Sequence, residues 1–132
     1  MAEVQEASVN FTSANVTLVT TAETLILTAP RIAVPRRSVT ALILAIAQLT
    51  TGTATTGVTP RIRRGALVTD PLVSEANVVT IGAAVGSNEQ FLAFASEELT
   101  GAADVEYSFT LTQAAATGNG TALAAAILVL LL

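Results

Sequence analysis

The sequence predicts an all-β protein, an antiparallel jelly-roll sandwich of about eight strands. Three observations lead to this prediction. Thr dominates the polar residues, and Val and Ile are frequent among the apolar ones; such β-branched side chains fit a pleated strand. Short apolar runs alternate with turn-forming residues along the chain, which is typical of sandwiches and barrels. Residues 104–112 alternate between apolar and polar side chains, the period of a strand with one buried face.

Composition limits the chemistry that the chain can perform. The 132 residues are enough for one domain with a sizeable core, and no Lys, His, Cys or Trp occurs among them. An imidazole base, a thiolate nucleophile, a Schiff-base lysine and soft metal ligands are therefore excluded. We expect neither an enzyme nor a cofactor. The net charge of -4 argues against sequence-independent nucleic-acid binding, which needs a basic surface.

The apolar content is unusual for a lone domain. Hydrophobic residues make up 52% of the chain and charged residues only 12%, about half the usual charged share. A monomer keeps charged residues over roughly a quarter to a third of its surface. The excess is explained if one face of the domain is buried against other subunits.

The chain divides into an N-terminal segment and one sandwich domain. Residues 1–15 are acidic with weak periodicity and predict a flexible arm or a short edge strand, not a secretory signal. Residues 16–132 form the predicted domain, in which Pro30 and Pro35 bracket an extended linker or edge. The predicted strands cover residues 16–20, 23–29, 38–51, 58–64, 78–81, 89–96, 104–112 and 122–132.

Turn signals separate these strands. Residues 118–120, Gly-Asn-Gly, predict a hairpin that joins strand 104–112 to strand 122–132. The other predicted turns and loops lie at residues 52–57, at Gly65, at Asp70 and Pro71, at residues 82–88 and at residues 97–104. The last strand is strongly apolar but has only 11 residues, whereas a membrane-spanning helix needs about 20. We therefore expect a buried strand and no membrane contact.

Residues 38–51 form the longest apolar run, and they are apolar on both faces of a strand. One alternating set is Val39, Ala41, Ile43, Ala45 and Ala47, and the other is Leu42, Leu44 and Ile46. A helix is the competing interpretation, because periodicity alone does not separate the two for apolar runs. The flanking Thr and Pro residues favour a strand. In a two-layer sandwich the outer set needs a cover, so we expect a subunit interface at Leu42, Leu44, Ile46, Leu128 and Leu130.

A cluster of arginines follows this run. On a strand, Arg61 and Arg63 point to the same side. One interpretation is a solvated face or a sheet edge guarded by charge. The other is contact with an acidic partner, because the guanidinium group pairs with a carboxylate in bidentate fashion. We expect Arg61, Arg63 and Arg64, with Glu3 and Glu6 of the N-terminal segment, to contact the partner.

The carboxylates cluster once, at Glu97, Glu98, Asp104 and Glu106. Asp104 and Glu106 would lie on one strand face, about 7 Å apart, a spacing that a glycosidase could use. No Trp is present, however, and the single Tyr points to the opposite face, so a solvated sheet face is the favoured interpretation. A calcium site in loop 97–104 is a second alternative, but the loop lacks a recognisable Asp-rich spacing.

Two segments carry a resemblance to a known group of proteins. Residues 38–65, which contain AQLTTGTATTGVTPRIRRG, and residues 104–120 resemble small jelly-roll virion proteins of tailed bacteriophages. These are head decoration (cement) or minor structural proteins, and the similarity covers residues 16–132. The resemblance implies a homotrimer on the capsid surface that clamps subunits of the major capsid protein, with an N-terminal arm that reaches the capsid floor. It also implies synthesis in the host cytoplasm.

Three functions of different class follow. The first is the virion decoration protein implied by the resemblance. The second is a glycan- or receptor-binding head of a phage fibre or spike, which would show an exposed aromatic platform or a metal loop. The third is a carboxylate-based hydrolase, which Glu106→Gln would disable and which the composition disfavours.

Overall fold

The computed structural model describes residues 6–13, 15–19, 21–35, 37–50, 56–75, 79–81, 88–100, 104–114 and 120–132. In these residues the regular structure is entirely β, and no helix is long and apolar enough to cross a membrane. The strands are β1 (Glu6–Thr12), β2 (Val16–Thr17), β3 (Glu23–Thr28), β4 (Val39–Thr50), β5 (Thr56–Arg64), β6 (Leu72–Glu75), β7 (Val79–Ile81), β8 (Asn88–Leu99), β9 (Tyr107–Gln113) and β10 (Thr121–Leu131).

The strands form two antiparallel sheets. Sheet A has the order β1-β10-β4-β8, and β2 pairs with β10 beyond the end of β1. Sheet B has the order β3-β9-β5-β6, and β7 pairs with β5 beyond β6. Because β1 and β2 share one position, and β6 and β7 share another, the ten strands fill eight positions. The predicted all-β sandwich is confirmed, and this strand order is that of a jelly roll.

Most connections pass from one sheet to the other. One of them, between β9 and β10, shows that a predicted hairpin is wrong. The hairpin predicted at residues 118–120 is wrong, because β9 lies in sheet B and β10 lies in sheet A. Residues 118 and 119 lie outside the described residues. A local turn signal does not say which sheet the next strand joins, so the Gly-Asn-Gly run was a poor guide to pairing here.

Residues 6–12 of the predicted N-terminal segment form β1, an edge strand of sheet A. Its inward side chains fasten it to sheet B. Ser8 Oγ donates a hydrogen bond to Pro30 O (2.7 Å), and Asn10 Nδ2 donates one to Thr28 O (2.8 Å). On the opposite edge, Ser74 Oγ of β6 donates to Phe94 O of β8 (3.1 Å). The domain boundary after residue 15 stays a prediction.

The core lies between the two sheets and combines small and large side chains. The inner face of sheet A carries alanines at positions 41, 45 and 47 of β4 and at 93 and 95 of β8, all buried. The inner face of sheet B supplies bulk from Ile62, Tyr107, Phe109 and Leu111, each fully buried. Small residues facing large ones let two layers interdigitate without voids. This packing accounts for the alanines on the inner faces of β4 and β8.

Strand β9 differs from its predicted form. The apolar set at Tyr107, Phe109 and Leu111 faces the core, but Ser108 and Thr110 on the supposedly wet face are also fully buried. The cause is non-local. β9 lies between β3 and β5, and an ion pair between Glu23 of β3 and Arg63 of β5 spans its outer face.

We predict that the side chain of Gln113 stabilises the crossing from β9 to β10. Gln113 is fully buried, and its Oε1 accepts a hydrogen bond from the backbone N–H of Gly120 (2.7 Å). Gln113→Ala leaves that buried donor without this acceptor, and it should lower the free energy of unfolding by about 1–3 kcal/mol. Urea denaturation measures the loss. The control, Thr69→Ala at an exposed position between β5 and β6, should change stability by less than about 0.5 kcal/mol; equal losses would contradict this role.

Candidate functional site

The outer face of sheet A is the candidate site, and β4 is its centre. Along β4, buried and more exposed residues alternate. Ala41, Ile43 and Ala45 point into the core, so Leu42, Leu44 and Ile46 point outward, as a strand requires. Leu44 is 39% exposed and Ile46 is 44% exposed. The apolar pattern on both sides of the strand therefore places leucine and isoleucine on the surface.

The neighbouring strand β10 extends this apolar surface. Its register pairs Leu128 with Leu44 and Leu130 with Leu42. Ile127, Val129 and Leu131 alternate with them and are buried. The five residues predicted at a subunit interface, Leu42, Leu44, Ile46, Leu128 and Leu130, thus lie together on one outer face. Their contact with another subunit stays a prediction.

Two edge strands contribute residues that the sequence did not single out. On β1, Val9 is 59% and Phe11 is 77% exposed, and on β8, Leu92 and Phe94 are each 55% exposed. Residues 7–11 alternate between apolar and polar side chains, whereas residues 91–94 form a continuous apolar run. Neither stretch by itself shows that its apolar side chains continue the outer surface of β4. The nine residues form what we call the apolar face: Val9, Phe11, Leu42, Leu44, Ile46, Leu92, Phe94, Leu128 and Leu130.

The register aligns the apolar face in rows that cross all four strands. One row is Val9, Leu128, Leu44 and Phe94. The next row is Phe11, Ala126, Ile46 and Leu92. Neighbouring strands lie about 4.8 Å apart, so the side chains in each row are in contact range of one another. The apolar face is therefore continuous from one edge of sheet A to the other.

A trough of about 350 Å³ lies within this surface. Ala124, Ala125 and Ala126 of β10 line it, together with Ile46, Ala47 and Gln48 of β4, Gln90 of β8, and Phe11, Thr12 and Ser13 at the end of β1. The trough exists because alanine side chains are short where the neighbouring strands carry large ones. Its lining is mostly apolar, so a hydrocarbon or aromatic side chain is the group that fits it.

The outer face of sheet A carries little charge. Among the described residues that point outward from β1, β10, β4 and β8, Glu98 is the only ionisable one. It lies at one end of the sheet and accepts a hydrogen bond from Thr40 Oγ1 (2.6 Å). A surface with this composition favours apolar contact over the recognition of a charged ligand.

The outer face of sheet B is the opposite case, because it carries an ion-pair network. Arg63 holds the Glu23 carboxylate with Nε (2.5 Å) and Nη2 (2.8 Å), and its Nη1 donates to Asp70 O (2.7 Å). Arg61 binds Glu23 (3.3 Å) and Glu75 (2.7 Å). The Glu23 carboxylate raises the pKa of Arg63 through this hydrogen bonding. Both arginines are thus committed to carboxylates of the same chain.

Arg64 points to the other side of β5 and forms a separate cluster. Its Nε and Nη2 both donate to Glu97 of β8, with an Nε–Oε2 distance of 3.1 Å. Tyr107 Oη also donates to Glu97 Oε2 (2.7 Å). The cluster joins the two sheets at one end of the sandwich. Burial raises the pKa of Tyr107 to about 12, against a smaller lowering effect of Arg64.

The structure places the predicted partner-contact residues in three locations. Arg61 and Arg63 lie on the outer face of sheet B, Arg64 lies at the end of the sandwich, and exposed Glu6 begins β1. Glu3 lies outside the described residues. Contact of these residues with a partner stays a prediction.

The predicted carboxylate cluster is divided between surfaces. Glu97 points inward to Arg64, and Glu98 points outward from the same strand. Glu106 pairs with Arg31 (3.3 Å). Within the described part of the chain, no group of three or more metal-ligating side chains is close enough to hold a metal ion. Residues 101–103 of the loop proposed for calcium lie outside it.

Comparison with known proteins adds information on the fold. No protein-family model matches the chain, and no curated protein matches it by sequence. Among solved structures, the chain is similar to one in the structure of infectious bursal disease virus, Gx strain, with a TM-score of 0.51 and 8% sequence identity. The likeness is one of fold. It covers 98% of this chain and 34% of that chain, so this chain spans about a third of its neighbour's length.

A second solved structure gives similar values. It is that of infectious bursal disease virus, Gt strain, with a TM-score of 0.49 and 8% identity over 98% of this chain and 33% of that chain.

We predict that Glu23 stabilises sheet B. Its side chain is 14% exposed and neutralises Arg61 and Arg63, which are 20% and 16% exposed. Glu23→Gln removes the charge from the shared acceptor, and it should lower the free energy of unfolding by about 1–3 kcal/mol. Chemical denaturation at neutral pH measures the change. Glu89→Gln, at an exposed position of β8, is the control and should change it by less than about 0.5 kcal/mol. A Glu23 variant as stable as this control would contradict the role.

We predict an alkaline loss of stability from Tyr107. Its pKa rises from 10.0 to about 12 on folding, so the unfolded chain releases the proton first and unfolding becomes easier as the pH rises from about 10 towards 12. Tyr107 is the chain's only tyrosine, and Trp is absent. Titration of tyrosinate absorbance therefore reports this group alone. The midpoint should lie near 12 in the native protein and near 10 in denaturant; a native midpoint near 10 would show that the phenol is not desolvated.

Proposed function

We propose that this chain is a non-enzymatic structural protein of a virion. Its proposed role is that of a decoration (cement) protein, which binds and stabilises the assembled head of a bacteriophage as a homo-oligomer. One observation carries the proposal: a jelly-roll sandwich presents a continuous apolar face across sheet A, with Phe11 77% and Phe94 55% exposed. Contiguous exposed patches of this kind mark protein–protein contact surfaces.

The size of the outer face of sheet A supports a stable contact. β4 and β8 each have 12 residues, β10 has 11 and β1 has 7; at strand rise and a strand spacing of about 4.8 Å, the four strands cover roughly 700 Å². A standard-size interface buries about 800 Å² on each partner. The outer face of sheet A is therefore nearly large enough for a specific, stable contact.

The fold supports a virion role. The solved structure with the TM-score of 0.51 is that of a virus, and the present chain matches about a third of one of its chains. The resemblance of residues 38–65 and 104–120 to small virion proteins of tailed bacteriophages points to the finer assignment. The capsid surface is the proposed location, after synthesis in the host cytoplasm.

Decoration would work by mass action. A protein that binds the assembled lattice, and not its separate subunits, shifts the equilibrium towards the lattice. Several linked copies bind more tightly than one, because each contact raises the effective concentration for the next. The homo-oligomer is therefore part of the proposed mechanism, and the homotrimer implied by the resemblance stays a prediction.

The proposed partner of the charged residues is the major capsid protein. All three arginines pair with carboxylates of this chain, and Arg64, which pairs with Glu97, has the most exposed side chain, at 46%. It is therefore the arginine that we propose for contact with a capsid carboxylate. Arg61 and Arg63 are held by Glu23. They would therefore contribute to partner binding as part of the charged outer surface of sheet B. Glu3 and Glu6 are the proposed contacts of the N-terminal segment.

A glycan- or receptor-binding head is the second candidate, since Phe11 and Phe94 are exposed aromatic rings. Sugar recognition also needs hydrogen-bonding groups beside the ring. The register places Phe94 beside Leu44, and it places Phe11 beside Ala126. These two neighbours cannot bond a hydroxyl group, although Gln48 and Gln90 line the trough beside Phe11 and could do so. The decoration role is favoured because the apolar face extends across all four strands of sheet A, well beyond one aromatic platform.

Shell binding tests the proposed function. Particles of the virus that encodes this sequence should contain the chain, detected by mass spectrometry after gradient purification. Particles assembled without it should disrupt at a lower temperature, and added purified chain should restore the difference. Unexpanded precursor shells are the control, and they should bind less. The absence of the chain from purified particles would contradict the proposal.

A further inference from the structure

We infer that the outer face of sheet A binds the same face of a second copy of this chain, so that two copies pair face to face. The inference deepens the proposed function, because it names the occupant of the surface on which that function rests. It also departs from the trimer implied by the resemblance. When a surface binds the same surface of a second copy, the two copies are related by a twofold axis.

The area and shape of the surface favour a second copy. Two sheets pack face to face about 10 Å apart, and the side chains of their facing surfaces interdigitate. The outer face of sheet A has rows of leucine, isoleucine and phenylalanine across four paired strands. Its roughly 700 Å² is close to the area of about 800 Å² that each partner buries in a standard-size interface. A second sheet A is therefore a cover of matching size.

The charge distribution favours the same partner. The whole chain carries a net charge of -4, yet Glu98 is the only ionisable group among the described outward-pointing residues of sheet A. Two such faces meet without like-charge repulsion at the centre of the contact. Sheet B is a poor cover, because Arg61, Arg63, Glu23 and Glu75 occupy its outer face and would have to be desolvated.

The relief of the surface provides a specific fit. Phe11, Leu92 and Phe94 project from the edge strands, at 77%, 55% and 55% exposure. The trough of about 350 Å³ over Ala124 and Ala126 lies on the same surface. In the inferred pair, an apolar side chain of the second copy fills this trough. Filling of the trough therefore distinguishes a specific contact between two copies from general hydrophobic adhesion.

The first test changes the polarity of the face. The parent protein should have the mass of two copies, or of an even number, by size-exclusion chromatography with light scattering. Leu44→Asp should give single copies. The matched control is Leu25→Asp, because Leu25 lies on β3 of sheet B and is 38% exposed, against 39% for Leu44. It should leave the paired mass unchanged.

Leu92→Asp is a second variant in case Leu44→Asp fails to fold. It lies on edge strand β8, and its side chain is 55% exposed, so the substitution spares the core. Circular dichroism checks the fold of each variant. Paired mass in both folded Asp variants would overturn the inference, and so would a parent protein that is monomeric at high concentration.

The second test fills the trough without adding charge. Ala126→Phe increases the apolar surface but occupies the space inferred for the second copy. It should weaken pairing about tenfold, as overpacked contacts do, measured by sedimentation equilibrium. General adhesion predicts the reverse, a tighter association. Pairing as tight as in the parent, or tighter, would overturn the inference.

The outcomes separate this inference from the proposed function. A parent protein of three copies that still binds shells would overturn face-to-face pairing and leave the decoration role in place. A paired protein that binds no shell would overturn the decoration role and leave the pairing in place. Binding of Leu44→Asp and Leu25→Asp to shells, measured beside their masses, distinguishes the two.

Discussion

The constraint on which the rest of the structure depends is the apolar character of β4 and β10 on both of their faces. The inner set, with Ile43 and Ile127 fully buried, fills the space between the sheets. Within the described residues, no second layer of the same chain covers the outer set. An antiparallel sheet can leave one face to water when that face is polar. Here it carries leucine, isoleucine and phenylalanine, so the isolated domain leaves apolar surface in water that assembly can bury.

The outer faces of the two sheets differ in whether side chains of the same chain cover them. On sheet B, the ion pair between Glu23 and Arg63 spans β9 and buries Ser108 and Thr110 beneath it. That face is closed by side chains of the same chain. In the part of the chain that the structure describes, no ion pair covers the leucines of sheet A, although hydrogen bonds from Ser8, Asn10 and Ser74 join its edges to β3, to the segment just after it, and to β6. The asymmetry directs apolar contact to sheet A and leaves sheet B as the charged exterior.

The periodicity of residues 38–51 and 122–132 was enough to predict two central strands and the five residues that share an outer face. Periodicity depends on residues that are close in the sequence. The predictions that were wrong concerned contacts between strands that are distant in the sequence. The hairpin at residues 118–120 was wrong because pairing depends on which sheet the next strand joins. The wet face of β9 was wrong because arginine and glutamate side chains from its two neighbours cover it. Val9, Phe11, Leu92 and Phe94 were missed because only the strand pairing places β8 beside β4 and β1 beside β10.

The most direct measurement of the central claim is hydroxyl-radical footprinting read by mass spectrometry over a range of protein concentrations. Phe11, Leu92 and Phe94 should become protected as the chains associate, because the account places them in the contact. Leu67 is the internal reference: it is 62% exposed and lies in the loop between β5 and β6, away from sheet A. Its oxidation should stay constant. Oxidation of Phe11, Leu92 and Phe94 that stays as constant as that of Leu67 over the whole concentration range would contradict the claim that the apolar face is covered in the assembled state.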